Sequence, residues 1–353
     1  MSKFVNPFDE AGFSSKIARI PPPSNDPDVD VTIFYRHFIP TAKFNPTSPI
    51  NTDTGTKKPL PIILLHGHPQ THVIWSTVAT SLASSGLWEI VIPDNRGNGS
   101  SSAPCPKTSP SPWSYSRYSK REMARDMVEV MTQLGHERFY VVAHDRGARI
   151  AHRLALDWPE KVIKMILLDI APTLDMYSQT EQKFASAYWH WFFLLQPDLP
   201  EAFIEANPKA YLHALVTRFP RSSPTSTTSS STFSSELEMW RTNEYLINLS
   251  RRSNIIAMCE DYRASSPLIS LFKSPDLELD QSDRENGRKI QCETKILWGK
   301  QGIIQAMYKG GLYLWQQCCE KQVKGQALDC GHYIPEEAPQ SVVQEIQTFF
   351  FFE

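Results

Sequence analysis

Nowhere in the 353 residues does an apolar run approach the roughly 20 residues that a membrane-spanning helix requires, so no membrane partner is expected. The first residues, Met1-Ser2-Lys3-Phe4-Val5-Asn6-Pro7, lack the apolar centre of a secretory leader, and a cytoplasmic location is the expectation. The chain lacks an excess of charge. A formal net charge of −2 gives no electrostatic support for a nucleic-acid or membrane-surface partner. The six cysteines, Cys105, Cys259, Cys292, Cys318, Cys319 and Cys330, lack any Cys-x-x-Cys or zinc-type spacing, so reduced thiols are expected and no metal site. Cys330 reads as small buried filler. No internal repeat is evident.

What is present is 41% hydrophobic residues, enough for one large core with an inserted module. Val29, Val31, Ile33 and Tyr35 alternate with polar residues, as in a half-exposed strand. Residues Thr41 to Lys58 read as a loop. Short apolar runs follow: Ile62-Ile63-Leu64-Leu65, Ile90-Val91-Ile92, Val141-Val142, Ile166-Leu167-Leu168 and Ile296-Leu297-Trp298. Helical stretches such as Lys120 to Leu134 separate several of them, which predicts an α/β fold, a mostly parallel doubly wound sheet covered on both faces. From about Met176 to Ala264 the strands stop and the pattern is aromatic and helical. The expected organisation is a core over residues 1–175 and 266–353, interrupted by a helical cap over 176–265. Within the cap, the Ser/Thr/Pro-rich stretch 221–236 reads as a surface loop.

The most informative segment is Phe139-Tyr140-Val141-Val142-Ala143-His144-Asp145-Arg146-Gly147-Ala148, followed by a helical pattern from Arg149. An apolar strand meets a turn with small flanking residues, the setting of a nucleophile elbow. Aspartate occupies the exposed position, and a carboxylate nucleophile forms an ester that must then be hydrolysed. The plain alternative is a surface aspartate in an ordinary strand–helix turn. His66-Gly67-His68-Pro69 follows a buried strand, so the His68 amide and that of Arg146 could hold an oxyanion. His66 itself reads as a turn residue. Late in the chain, Asp329-Cys330-Gly331-His332-Tyr333 offers His332 as general base, in the order expected after a nucleophile and an acid. The loop Gly299-Lys300-Gln301-Gly302 has no carboxylate, so Asp169 is the expected orienting acid, with Asp329 as a weaker rival.

Arg146 and Arg149 should both border the site, keep Asp145 ionised and form a fork for a substrate carboxylate. Arg153 reads as a solvated surface residue. In the cap, Tyr188-Trp189-His190-Trp191-Phe192-Phe193 and Cys259-Glu260-Asp261-Tyr262-Arg263 bring polar-tipped aromatics together. His190, Trp191 and Tyr262 could supply donors around an apolar cavity, suited to a small leaving anion.

Together these residues resemble the α/β-hydrolase fold, and more narrowly the fluoroacetate (haloacetate) dehalogenases, from about Leu60 to the C-terminus apart from the Ser/Thr-rich insert. The resemblance is carried by HGHPQTHVIW at His66, HDRGAR at His144, LLDIAPT at Leu167, YWHWFFLLQP at Tyr188, EDYRA at Glu260 and GHYIPEEAP at Gly331. It implies Asp145 as nucleophile, His332 as base, Asp169 as acid, Arg146 and Arg149 as carboxylate clamp, and His190, Trp191 and Tyr262 as halide pocket. The chain departs from the family at Ala143 and Ala148, where glycine is usual, at His68, where Phe is more usual, and at Asn98, where an aromatic stands.

The expected activity is hydrolysis of a small 2-haloacid to the 2-hydroxyacid and halide, with water and a small molecule as partners and no cofactor. An epoxide hydrolase with the same Asp145 and His332 is the alternative enzyme, with Tyr262 and Tyr188 or Tyr211 protonating the epoxide. A non-catalytic small-ligand receptor on the same fold is the alternative from another class. The oligomeric state stays open, a homodimer included.

Overall fold

Eight strands, β1 (Ser14–Ile20), β2 (Val31–Phe38), β3 (Leu60–Leu65), β4 (Trp88–Pro93), β5 (Phe139–His144), β6 (Val162–Leu168), β7 (Glu293–Gly299) and β8 (Lys324–Leu328), make one sheet in the order β1-β2-β4-β3-β5-β6-β7-β8. The computed structural model describes residues 4–40, 60–104, 114–217, 231–266 and 274–351. β1 pairs with β2, and β2 with β4, in antiparallel fashion, and every other neighbour is parallel. β3 and β5 bury all six of their residues, as strands covered on both faces must. β2 buries Val31, Ile33, Tyr35 and His37 and leaves the residues between them partly accessible, which is the expected alternation.

The edge strands β1 (Ser-Ser-Lys-Ile-Ala-Arg-Ile) and β8 (Lys-Gly-Gln-Ala-Leu) were not anticipated. Their first four residues are exposed or partly exposed, so they carry little hydrophobic signal.

Register decides where chemistry can occur. Leu65 lies opposite Ala143, His144 opposite Leu168, and Leu168 opposite Leu297. The carboxyl ends of β3, β5, β6 and β7 therefore meet at one rim, where folds of this type open for ligands.

Helices α1 (Pro7–Glu10), α2 (Ser76–Ser84), α3 (Lys120–Gln133) and α4 (Arg146–Asp157) precede β6 or flank the sheet. Between β6 and β7 come α5 (Thr173–Ser178), α6 (Gln182–Ala187), α7 (Trp189–Leu194), α8 (Leu199–Ala206), α9 (Pro208–Val216), α10 (Ser231–Leu249), α11 (Arg252–Ala264) and α12 (Pro275–Glu285). This helical insertion separates two neighbouring parallel strands of the sheet. A boundary at 175/176 falls inside α5, which starts at Thr173.

The loop reading of 221–236 needs correction at its end, because 231–236 open α10. The remainder, 221–230, lies outside the described residues, as do Thr41 to Lys58 and Cys105. The other five cysteines are free and buried.

Arg153 is also corrected. It is 2% exposed and pairs with Asp157, Asp280 and Asp283. α4 packs every residue from Arg146 to Leu156 inward, so even its arginines meet protein. Among the described residues no helix is long and apolar enough to cross a membrane.

Candidate active site

β5 runs directly into Asp145, which precedes α4 at φ 49° and ψ −116°. A side chain at positive φ is strained, and surrounding structure must hold it there. The Asp145 amide donates to the Leu168 carbonyl at 3.2 Å, and its carbonyl accepts from the Ala148 amide at 3.0 Å. The approach of the β3 loop is possible because two residues lack side chains. A Cβ on Gly147 would lie 2.5 Å from the His66 carbonyl oxygen, and one on Gly67 would lie 2.5 Å from the Asp145 Cβ. The elbow forms with Ala143 paired inside the sheet and Ala148 fully buried, so neither departure from glycine prevents it.

The His68 amide donates to Asp145 Oδ1 at 3.0 Å. The Arg146 amide opens α4, so it has no acceptor within its own helix. His66 serves the scaffold: its Nε2 accepts from the Asn95 amide at 2.9 Å, and Asn95 Nδ2 donates to its carbonyl at 2.8 Å.

His332 Nε2 faces Asp145 Oδ2 at 3.9 Å, beyond hydrogen-bonding distance. Its Nδ1 donates to Asp169 Oδ2 at 2.6 Å. Asp169 also sits at positive φ, 48°, and its Oδ1 accepts from the Gly299 amide at 3.0 Å. The loop that lacks a carboxylate thus contributes a backbone donor to the acid from β6. Asp329 is exposed, with no hydrogen bond or ion pair to His332.

Burial disfavours the charged form of Asp145, but His332, the His68 amide and Arg146 outweigh it and hold the carboxyl well below its usual range. His144, the last residue of β5, donates from Nε2 to the His332 carbonyl at 2.8 Å. Burial, then His332, depresses its pKa to about 3. His152, edge-on to Trp315 at 5.2 Å, is likewise depressed to about 3 by burial and then by Arg153.

Both histidines are neutral in the fold but take a proton near pH 6.5 when unfolded. Between those values the unfolded chain binds more protons. Their contribution to stability is therefore complete above about pH 6.5 and is lost as pH falls toward about 3. Thermal unfolding across that window should show a falling melting temperature, and His152→Gln should flatten the slope.

The arginines are buried, each 3% exposed. Arg146 donates from Nε to Asp261 Oδ2 at 2.6 Å and from Nη2 to the Asp261 carbonyl at 2.7 Å, and it lies over the Tyr262 ring at 4.1 Å. Its Nη1 is buried without a partner. Arg149 bonds to the Thr173 hydroxyl and to Met176 Sδ (3.2 Å), and stacks over Trp191 at 4.9 Å. Its Nε is buried without a partner, and among the described residues no carboxylate lies within ion-pair distance of it. Burial and the neighbouring Arg146 lower its pKa.

His190, Trp191 and Tyr262 come together. The His190 and Tyr262 rings are 5.9 Å apart, and those of Trp191 and Tyr262 6.2 Å. His68, which replaces the more usual Phe, stacks parallel to His190 at 5.9 Å and bonds from Nε2 to the Tyr211 hydroxyl at 3.0 Å. Trp191 Nε1 is buried without a partner.

Three participants escaped the sequence reading. Asp261, within the quoted Glu260–Arg263 run, ties Arg146 to Lys120. Lys120 joins α3 to α11 across 141 residues of chain, a contact that no local pattern encodes. Tyr177 packs on Trp191 at 5.1 Å. Among the described residues no cluster of His, Cys, Asp and Glu could hold a metal.

A family model for the alpha/beta hydrolase fold matches residues 61–339. The chain is 33% identical over 301 residues to a fluoroacetate dehalogenase from Burkholderia sp, covering 85% of this chain and 90% of that one. It is 28% identical over 295 residues to a soluble epoxide hydrolase from Corynebacterium sp, covering 82% and 90%. The crystal structure of a Nostoc sp protein classed as an alpha/beta hydrolase matches with a TM-score of 0.77 at 39% identity, over 98% of this chain and 100% of that one.

Proposed function

This chain belongs to the alpha/beta hydrolase fold family, and we propose on that footing that it hydrolyses a small 2-haloacid, such as a haloacetate, to the 2-hydroxyacid and halide. One observation carries the reading. Arg149 is a buried guanidinium whose hydrogen bonds, among the described residues, reach only a hydroxyl and a thioether. Asp145 lies near enough to favour its charge but makes no ion pair with it, and a buried charge without a partnering carboxylate costs several kcal/mol. A substrate carboxylate beside Arg149 Nε and Arg146 Nη1 would supply that counter-charge within reach of Asp145. The relative named fluoroacetate dehalogenase supports the same chemistry.

The proposed steps follow from the geometry. The His68 amide holds Asp145 Oδ1, so Oδ2 attacks the α-carbon. The new C–O bond forms as the carbon–halogen bond breaks, and the halide leaves with the electron pair toward His190, Trp191 and Tyr262. His332 Nε2 then takes a proton from water, and the hydroxide adds to the carbonyl carbon of the Asp145 ester. The amides of His68 and Arg146 hold the resulting oxyanion. Asp169 steadies the imidazolium through Nδ1. Collapse breaks the ester C–O bond, the leaving alkoxide takes the proton back from His332 Nε2 to become the hydroxyacid, and the re-formed Asp145 carboxyl gives up its proton to water and is a carboxylate again.

A second reading draws on Tyr211, whose hydroxyl is 3.0 Å from His68 Nε2, and Tyr262, whose ring lies 5.3 Å from that of His68. Two tyrosines opposite an aspartate could protonate an opening epoxide, and one relative is named a soluble epoxide hydrolase. That reaction gives the buried Arg149 no counter-charge. The deciding measurement is halide release from fluoro-, chloro- and bromoacetate beside diol formation from styrene oxide. Faster halide release is expected, and faster diol formation would put the epoxide reading in its place.

A further inference from the structure

Tyr177, the penultimate residue of α5, has a buried hydroxyl with no hydrogen-bond partner among the described residues. Buried polar groups are nearly always paired, so an orphan points to a partner that arrives later. The surroundings identify that partner. The Tyr177 ring packs against Trp191 at 5.1 Å, Arg149 lies over Trp191, and Trp191 touches Tyr262, over which Arg146 lies. Tyr177 therefore belongs to the aromatic wall that carries both guanidiniums. Its own helix also supplies Thr173 and Met176, the two partners of Arg149.

We propose that the Tyr177 hydroxyl is a third donor to the substrate carboxylate, beside Arg146 Nη1 and Arg149 Nε. All three atoms are buried and unpartnered. Guanidinium nitrogens only donate, so whatever satisfies them must accept several hydrogen bonds at once. An ionised carboxylate presents two oxygens with about four lone-pair sites, whereas a neutral amide presents one oxygen. Burial pushes the Tyr177 phenol up to about 12, although both arginines pull it down, so it keeps its proton at neutral pH and can donate. The identity of the carboxylate as that of a haloacid rests on the proposed function, but the donor role does not.

Tyr177→Phe tests the role, because it removes only the hydroxyl. No hydrogen bond is lost in the free protein, so its melting temperature should match or exceed that of the unmodified chain, and a clear fall would overturn the inference. KM for chloroacetate should rise about tenfold, the scale of one hydrogen bond to a charged group, with kcat within about twofold. Chloroacetamide, which has no carboxylate, should change by less than about twofold. Equal losses on both substrates, or no loss on either, would overturn the inference.

Binding of acetate, read as the rise in melting temperature with its concentration, gives a measure that needs no turnover. It should weaken by a similar factor in Tyr177→Phe. If the unmodified protein binds acetate through Tyr177 yet releases no halide, the haloacid reading falls and the donor role stands. If it releases halide and Tyr177→Phe keeps the same KM and acetate affinity, only the donor role falls.

Discussion

Asp145→Asn should abolish halide release, by at least about 10³-fold in kcat, while leaving the fold intact. The replacement is nearly isosteric, and Oδ1 can still accept from the His68 amide that now holds it at 3.0 Å. What is lost is the anionic oxygen. In the natural chain the carboxyl is held well below its usual range, so it is ionised throughout the neutral region. An amide in its place is a very poor nucleophile.

The companion variant His332→Asn separates the two halves of the reaction. Ester formation does not call on His332, whereas hydrolysis needs the base at its Nε2. Incubation with bromoacetate should leave a covalent adduct, found by intact mass and mapped to the peptide containing Asp145. Sustained halide release by Asp145→Asn, with the asparagine intact by mass spectrometry, would refute covalent catalysis there. A His332→Asn protein that binds substrate but gathers no adduct would remove His332 from the proposed role.

Arg149→Met should lower kcat/KM for haloacetate by about 30- to several-thousand-fold, because losing one partner of a desolvated Arg–carboxylate pair costs roughly 2–5 kcal/mol. Haloacetamide should suffer far less. The same substitution should raise the melting temperature of the ligand-free protein, since Arg149 is buried, makes no ion pair with a carboxylate among the described residues and has a pKa lowered by burial and Arg146. A site that binds more weakly in a more stable protein would be the expected signature of a charge kept for a ligand. Arg146→Met is a less clean test. It would leave Asp261 buried with Lys120 as its one counter-charge among the described residues, so a loss of activity could reflect a loosened cap. Unchanged haloacetate kinetics in Arg149→Met would end the carboxylate-clamp reading.

The sequence by itself determined the central strands, because residues buried on both faces must be apolar throughout, as Ile62–Leu65 and Val141–Val142 are. It also determined the elbow at Asp145 and the rim position of Asp169, since a strand ending at a turn is a local pattern. Gly67 was legible as a tight-turn residue and Gly147 as a small flank of the elbow; the contacts that forbid a Cβ there, the Asp145 side chain for Gly67 and the β3-loop backbone for Gly147, came from the tertiary structure.

Only the tertiary structure decided the rest. β1 and β8 sit at sheet edges, where half-exposed residues carry no apolar period. Arg153 is buried and meets three aspartates from α4 and α12, although as a lone arginine in the sequence it read as a solvated surface residue. The tie from Lys120 through Asp261 to Arg146 and the placement of Tyr177 against Trp191 join segments far apart in the chain. Periodicity reports which face of an element is buried, but it carries no information about which buried polar atoms meet, and that is settled by how the cap packs on the sheet.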